Sequence, residues 1–122
     1  MLKFIKEQMS LLDIPYEFME WTSPIQYPYV VGEYTETPTL DEDGKEESTM
    51  ILTATTRGAW LELEEIKNKI KKHFPSVGGL RAETDSGVIV VYYSDAFPVP
   101  TGEAELKRIQ INLDVREWKG LN

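Results

Sequence analysis

The sequence predicts an α+β fold in a single domain, residues 1–122: a mostly antiparallel sheet, one long amphipathic helix packed on it and a short N-terminal helix. Three observations point there. Trp60, Leu63, Ile66, Ile70 and Phe74 recur at three- and four-residue steps, which puts them on one side of a helix. Ile109, Ile111, Leu113 and Val115 alternate with Arg108, Gln110, Asn112, Asp114 and Arg116, the period of a half-buried strand. Between and around them lie short β-branched and aromatic runs broken by Pro, Gly and Asp, which is how strands and turns are punctuated.

The elements are expected in the following order. Leu2 to Leu12 carries Leu2, Phe4, Ile5, Met9 and Leu12 on one helical side, and Asp13 and Pro15 end that helix because proline lacks the backbone donor. Tyr16 to Trp21 reads as a short strand, broken by Thr22-Ser23-Pro24. The run from Tyr27 to Thr37 suits a pleated surface; Pro28 marks a strand start or an edge, and Gly32 a bulge or a close backbone approach. Pro38 to Glu47 is a polar loop with a turn at Asp43-Gly44, and Ser48 to Thr56 returns as a strand. There Met50, Leu52 and Ala54 share one face, with Thr49, Ile51, Thr53 and Thr55 on the other.

Gly58 hands the chain to the long helix. Glu62, Glu64 and Glu65 precede Lys67, Lys69, Lys71 and Lys72, the order the helix dipole favours, and Glu65 with Lys69 makes an i,i+4 pair. Phe74-Pro75 is the stop. Such a stripe cannot hold a helix by itself, since ordering the backbone costs more than five apolar side chains return, so it must pack on a sheet. Leu80 to Asp85 is a short strand leading to a turn at Asp85-Ser86-Gly87. Val88 to Tyr93 is apolar on both faces, so it is central or covered by a partner. Ala96 to Gly102, with Pro98 and Pro100, is a loop, and Leu106 to Trp118 is the closing strand.

Composition bounds the function classes. A chain of 122 residues can bury roughly two-thirds of its surface, enough for one core without staples. There is no cysteine, which excludes a disulfide framework and a thiolate zinc site. A net charge of −8 argues against nucleic acid and anionic membrane, both of which need a basic face. No apolar run reaches the length of a membrane span and the first residues lack a secretory pattern, so a soluble protein made in the cytoplasm is expected.

No catalytic or cofactor constellation emerges. The single histidine, His73, falls in the last helical turn, where capping or a solvent position explains it better than catalysis. Placing Gly44 at the sixth position of a calcium loop puts Asp41 and Asp43 in ligand places. Thr39 and Met50 then occupy positions one and twelve, where carboxylates belong, so the metal reading fails. Glu62, Glu64 and Glu65, like Glu103 and Glu105, lack any sign of an acid/base pair. Gly78-Gly79 is not followed by the Lys-Ser/Thr of a phosphate loop. Tyr27, Tyr29, Tyr34, Tyr92 and Tyr93 have no basic groove beside them in sequence and are assigned to core or protein interface.

Taken together, the opening helix, Pro28-Tyr29-Val30-Val31-Gly32-Glu33-Tyr34, the hairpin, the Gly58-Ala59-Trp60-Leu61 helix start and Arg108-Ile109-Gln110-Ile111-Asn112-Leu113-Asp114-Val115 resemble the tail terminator (tail-completion) proteins of long-tailed bacteriophages and prophages. The resemblance covers nearly the whole chain and rests on element order, not on a catalytic motif. It implies a virion structural protein without enzyme activity or cofactor. Such a subunit forms a homo-oligomeric ring, commonly a hexamer, on the end of the tail tube, stops tail elongation and contacts the head connector. Its partners would be itself, the tail tube protein and the connector or neck protein, first in the host cytoplasm and then in the virion tail. Candidate interface residues are Tyr29, Tyr34, Leu40, Asp41, Glu42, Asp43, Lys45 and Tyr93. The alternatives are a head–tail joining, stopper or minor tail protein of the neck and, from another class, a small acidic hydrolase or ligand-binding domain.

Overall fold

The computed structural model describes residues 1–37 and 44–119. Among them the order is α1 (Leu2–Leu11), β1 (Tyr16–Phe18), β2 (Tyr29–Thr37), β3 (Lys45–Thr56), α2 (Trp60–His73), β4 (Leu80–Thr84), β5 (Gly87–Pro98) and β6 (Lys107–Lys119). The strands form one six-stranded sheet in the order β1-β2-β3-β6-β5-β4. The fold is α+β and mostly sheet, but the sheet is mixed: β1 runs parallel to β2, while the other four pairings are antiparallel. The parallel pairing follows from the connection, because residues 19–28 carry the chain back far enough for β2 to start beside β1 in the same direction.

α1 ends on a backbone lock. Asp13 takes a left-handed φ of 57°, its N–H donates to the Ser10 carbonyl at 3.0 Å, and the Ile14 N–H donates to the Met9 carbonyl at 3.0 Å. This is the Schellman arrangement, and its hydrophobic partner pair is Met9 and Ile14, both buried. Pro15 then starts the chain toward β1. That strand stops at Phe18, short of the expected Trp21, because Met19 turns to a φ of 69°.

Both helices cover one face of the sheet. Phe4, Ile5 and Met9 of α1 and Leu63, Ile66 and Ile70 of α2, with Phe74 just beyond it, join a single core with Val30, Met50, Leu52, Ala54, Ile89, Val91, Ile109, Ile111, Leu113 and Val115. The strand registers bring the apolar residues into line: Met50 lies opposite Leu113, Leu52 opposite Ile111 and Ala54 opposite Ile109. Alternation in β3 and β6 therefore points as the sequence predicts. Trp60 departs from its stripe. It is 45 % exposed, whereas Leu63, Ile66 and Ile70 further along the helix are buried. Within α2 the ion pair is Glu64–Lys67, whereas Glu65 and Lys69, the expected pair, border a cleft with Pro28 and Ile66.

Two strands are longer than expected. β3 starts at Lys45, inside the expected loop, because its first residues pair with Trp118, Glu117 and Arg116 of β6. β5 runs on through Ala96, also expected as loop, because a bulge between Tyr93 and Asp95 absorbs one residue and resets the pairing so that Ala96 faces Ile111. β5 lies between β6 and the edge strand β4, so its inner residues Ile89 and Val91 are fully buried.

Gly32 is a close approach, one of the two expectations for it. A Cβ there would lie 2.5 Å from Tyr16 Oη and 2.6 Å from Met50 Cε. The Tyr16 ring thus crosses directly over the β2 backbone. At the start of α2, Thr56 is fully buried; its hydroxyl accepts from the Gly58 N–H at 3.0 Å and donates to Glu62 Oε2 at 2.6 Å. Glu62 folds back over Gly58, where any side chain would collide with its carboxylate.

Candidate functional site

An open concavity lies where α1 meets the sheet edge. α1 runs over β1 with Leu2, Lys3 and Lys6 turned along its outer side, and Tyr16, Phe18 and Met19 form the opposite wall. The result is a groove of about 870 Å³, bordered also by Glu17, Glu20 and Thr22. Its apolar wall is partly open to solvent, with Phe18 36 % and Met19 61 % exposed. Phe18 in turn stacks on Tyr34 of β2, with ring centroids 6.1 Å apart.

Electrostatics divide the groove. Glu17 is used locally: its carboxylate accepts from the Thr22 N–H at 3.0 Å and the Thr22 hydroxyl at 2.8 Å, and the Thr22 backbone bond above all holds its pKa below the usual carboxylate value. Lys3 and Lys6 are exposed, and neither pairs with a carboxylate among the described residues. Tyr16 presents its ring to the groove, but its hydroxyl is buried without a hydrogen-bond partner among the described residues. Burial pushes its pKa up to about 12, so it stays a neutral phenol.

A second feature lies on the sheet face that carries no helix. Trp21, Tyr29 and Tyr27 pack in a row at 5.0 and 5.7 Å between centroids, and the Arg57 guanidinium sits 5.9 Å from the Tyr27 ring centre. Arg57 is tethered to Glu103 at 3.2 Å. Across the centre of the same face the side chains are polar. Gln110 donates to Asn112 at 3.0 Å, Asn112 donates to Asp95 at 3.0 Å, and Arg108 donates to Thr55 at 3.2 Å.

The predicted interface residues scatter over these surfaces. Tyr29 is in the aromatic row and Tyr34 in the Phe18 stack. Lys45 begins β3 and pairs with Glu47 at 3.2 Å. Tyr93 is half-buried, packs against the core, and has Lys71 Nζ 5.4 Å from its ring centre. Leu40, Asp41, Glu42 and Asp43 lie outside the described residues, as do the calcium-ligand places tested above. Met50, at the twelfth position of that test, is a fully buried core residue.

His73 neither caps α2 nor faces solvent, contrary to expectation. It is half-buried, Nε2 donates to Gln8 Oε1 of α1 at 2.6 Å, and its ring meets Phe74 edge-on at 4.8 Å. Desolvation lowers its pKa below 6.5, so the imidazolium expected at a helix end is disfavoured. Glu64 and Glu103 are ion-paired, and the Glu62 carboxylate accepts from the Thr56 hydroxyl. No group of three or more His, Asp or Glu side chains converges as a metal site among the described residues.

The groove residues Leu2, Lys3, Lys6, Phe18 and Met19 were not among the sequence candidates. Their only sequence signal is an apolar pair, Phe18-Met19, running one residue past where its strand ends.

Fold and surface define a class: an α+β domain with one bare sheet face and an apolar, lysine-flanked groove at the sheet edge. No family model matches the chain, and no curated protein matches it.

Proposed function

We propose that this protein is a phage or prophage virion assembly subunit, a tail terminator that forms a ring on the end of the tail tube, stops elongation and contacts the head connector. The observation that carries the reading is the groove between α1 and β1, an exposed apolar concavity beside a sheet edge, which suits contact with another protein. The bare sheet face offers a second, polar contact surface, as a subunit with several neighbours requires. Element order along the chain supports the same reading through its resemblance to the tail terminators. The ring would assemble in the host cytoplasm and remain in the virion tail.

A groove of this size also falls in the range of small-ligand clefts, which keeps a ligand-binding domain as the second reading. Electron microscopy of a lysate from a phage lacking the gene separates these. A terminator leaves full heads without tails and tails of irregular, excessive length. Detached tails of normal length assign the chain to head–tail joining, and intact infectious particles remove both virion readings.

A further inference from the structure

We propose that the edge strand β4 pairs antiparallel with β4 of a second copy of this chain, about a two-fold axis at Ala82, joining the two six-stranded sheets into one. Two observations carry this. The first is an open backbone edge. Thr84 pairs with Gly87 across the two-residue turn Asp85-Ser86, so Leu80, Ala82 and Thr84 exchange hydrogen bonds with β5, and the N–H and C=O groups of Arg81 and Glu83 point away from it. The Tyr93 N–H, of the same parity as Gly87 in β5, has the matching sense: it points to the β4 side and donates to the Phe74 carbonyl at 2.9 Å. No described residue bonds the outward groups of Arg81 and Glu83. A cleft of about 260 Å³ lies between Glu83 and Met1, Lys3, Phe4 and Glu7, so the first helix does not fill the space beside the strand. The other edge is closed in the usual ways: β1 is three residues long, starts after Pro15 and stops where Met19 turns left-handed.

The second observation is that this edge is complementary to itself. Leu80 and Ala82 pack against the core, so Arg81 and Glu83 stand on the helix-free face, exposed and without an ion pair among the described residues. With Ala82 opposite Ala82 of the second copy, each Arg81 lies opposite a Glu83, and each such pair exchanges both of its main-chain hydrogen bonds. Leu80 then faces Thr84, and the small Ala82 side chains meet where the strands come closest. Moving the axis to Arg81 or to Glu83 keeps the hydrogen bonding but sets Arg81 on Arg81 or Glu83 on Glu83. Like charges directly opposite are unfavourable, so the sequence selects one register. Five residues a side make a small contact, and two chains of net charge −8 repel at long range, so the pair is weak and concentration-dependent. An isologous contact closes at two copies and builds no ring. It therefore stands apart from the proposed tail role, and it leaves the groove at the β1 edge open.

Sedimentation equilibrium of the full chain tests the pairing, with a dimer expected to form between about 10 μM and 1 mM. Arg81→Glu and Glu83→Arg each set like charges opposite and are expected to weaken the dimer about tenfold or more. The thermal melt of the dilute chain should not change, because both positions are exposed. An equimolar mixture of the two variants, and a single chain carrying both changes, restore opposite pairs and are expected to recover the parent's affinity. Position 82 gives a separate reading. The chain has no cysteine, so oxidised Ala82→Cys can form a disulfide only between copies. At a close approach of about 4.5 Å between Cα atoms it is expected to cross-link roughly tenfold faster, or more, than Val77→Cys, at a position 91 % exposed. A parent that stays monomeric up to ~1 mM, single variants that associate as the parent does, a mixture that fails to recover, or cross-linking no faster than at Val77 each overturn the proposal.

Discussion

Gly32→Ala tests the contact that seats β1 on the sheet. The added Cβ would lie 2.5 Å from Tyr16 Oη, 2.6 Å from Met50 Cε and 2.7 Å from Tyr16 Cε2, where ordinary contacts are about 3.5 to 4.0 Å. Both neighbours must therefore withdraw by roughly 1 Å. Met50 ends in a flexible thioether but is fully buried, so its movement displaces core; the Tyr16 ring can lift only toward the groove. Overpacking of this kind costs about 1 to 3 kcal/mol. Replacing glycine within a strand returns about 0.5 to 1 kcal/mol of chain entropy. The difference spans about 0 to 2.5 kcal/mol with its centre near 1, and with two neighbours overlapped the expectation is about 1 kcal/mol or more, which for 122 residues corresponds to a melting temperature lower by roughly 4 °C or more. Circular dichroism melts with guanidinium titration measure it. In a Tyr16→Phe background the penalty should shrink by roughly 0.5 kcal/mol or more, since the nearest atom is gone while Cε2 remains. A Gly32→Ala melt at or above the parent's refutes the close seating, and an identical penalty in both backgrounds assigns the whole clash to Met50.

Ile70→Asp puts an unpaired carboxylate into a fully buried site between α2 and the sheet and should cost several kcal/mol, enough to unfold the chain at room temperature; a melt within a few degrees of the parent disproves the packing. Asp13→Gly relieves the left-handed backbone at the α1 lock and should raise stability by about 0.5 to 1 kcal/mol, while a loss would show that the Asp side chain contributes more than its strain costs. The folded pKa of His73 is depressed below 6.5, so its neutral form contributes stability that is fully present above pH 6.5 and is lost as the pH falls through the folded value. Because it is the only histidine, denaturant midpoints should fall between pH 7 and about 5.5 in the parent and stay level in His73→Gln, and equal slopes would reject the assignment.

Much of this fold is legible one element at a time, because each element's buried face repeats with its own period. Leu63, Ile66, Ile70 and Phe74 mark α2 by steps of three and four, and Ile109 to Val115 mark β6 by steps of two; these patterns need no knowledge of what lies opposite. The close approach at Gly32 is legible for the same reason, as an unexplained glycine inside a strand. What pairs with what is decided by the assembled chain. Trp60 belongs to the α2 stripe by spacing yet is exposed, since burial depends on what packs against a position and not on the period alone. The parallel β1–β2 pairing, and the bulge that turns Ala96 inward, depend on backbone partners far away in sequence. His73 finds Gln8 across 65 residues, which converts an expected helix-end cation into a neutral link between helices. The groove is the strongest case: Lys3 and Lys6 are ordinary solvent positions on α1, and Phe18 and Met19 an ordinary strand end. Only the packing of α1 over β1 sets those charges beside those apolar side chains, because concavity is a property of two surfaces and no single stretch of sequence contains both.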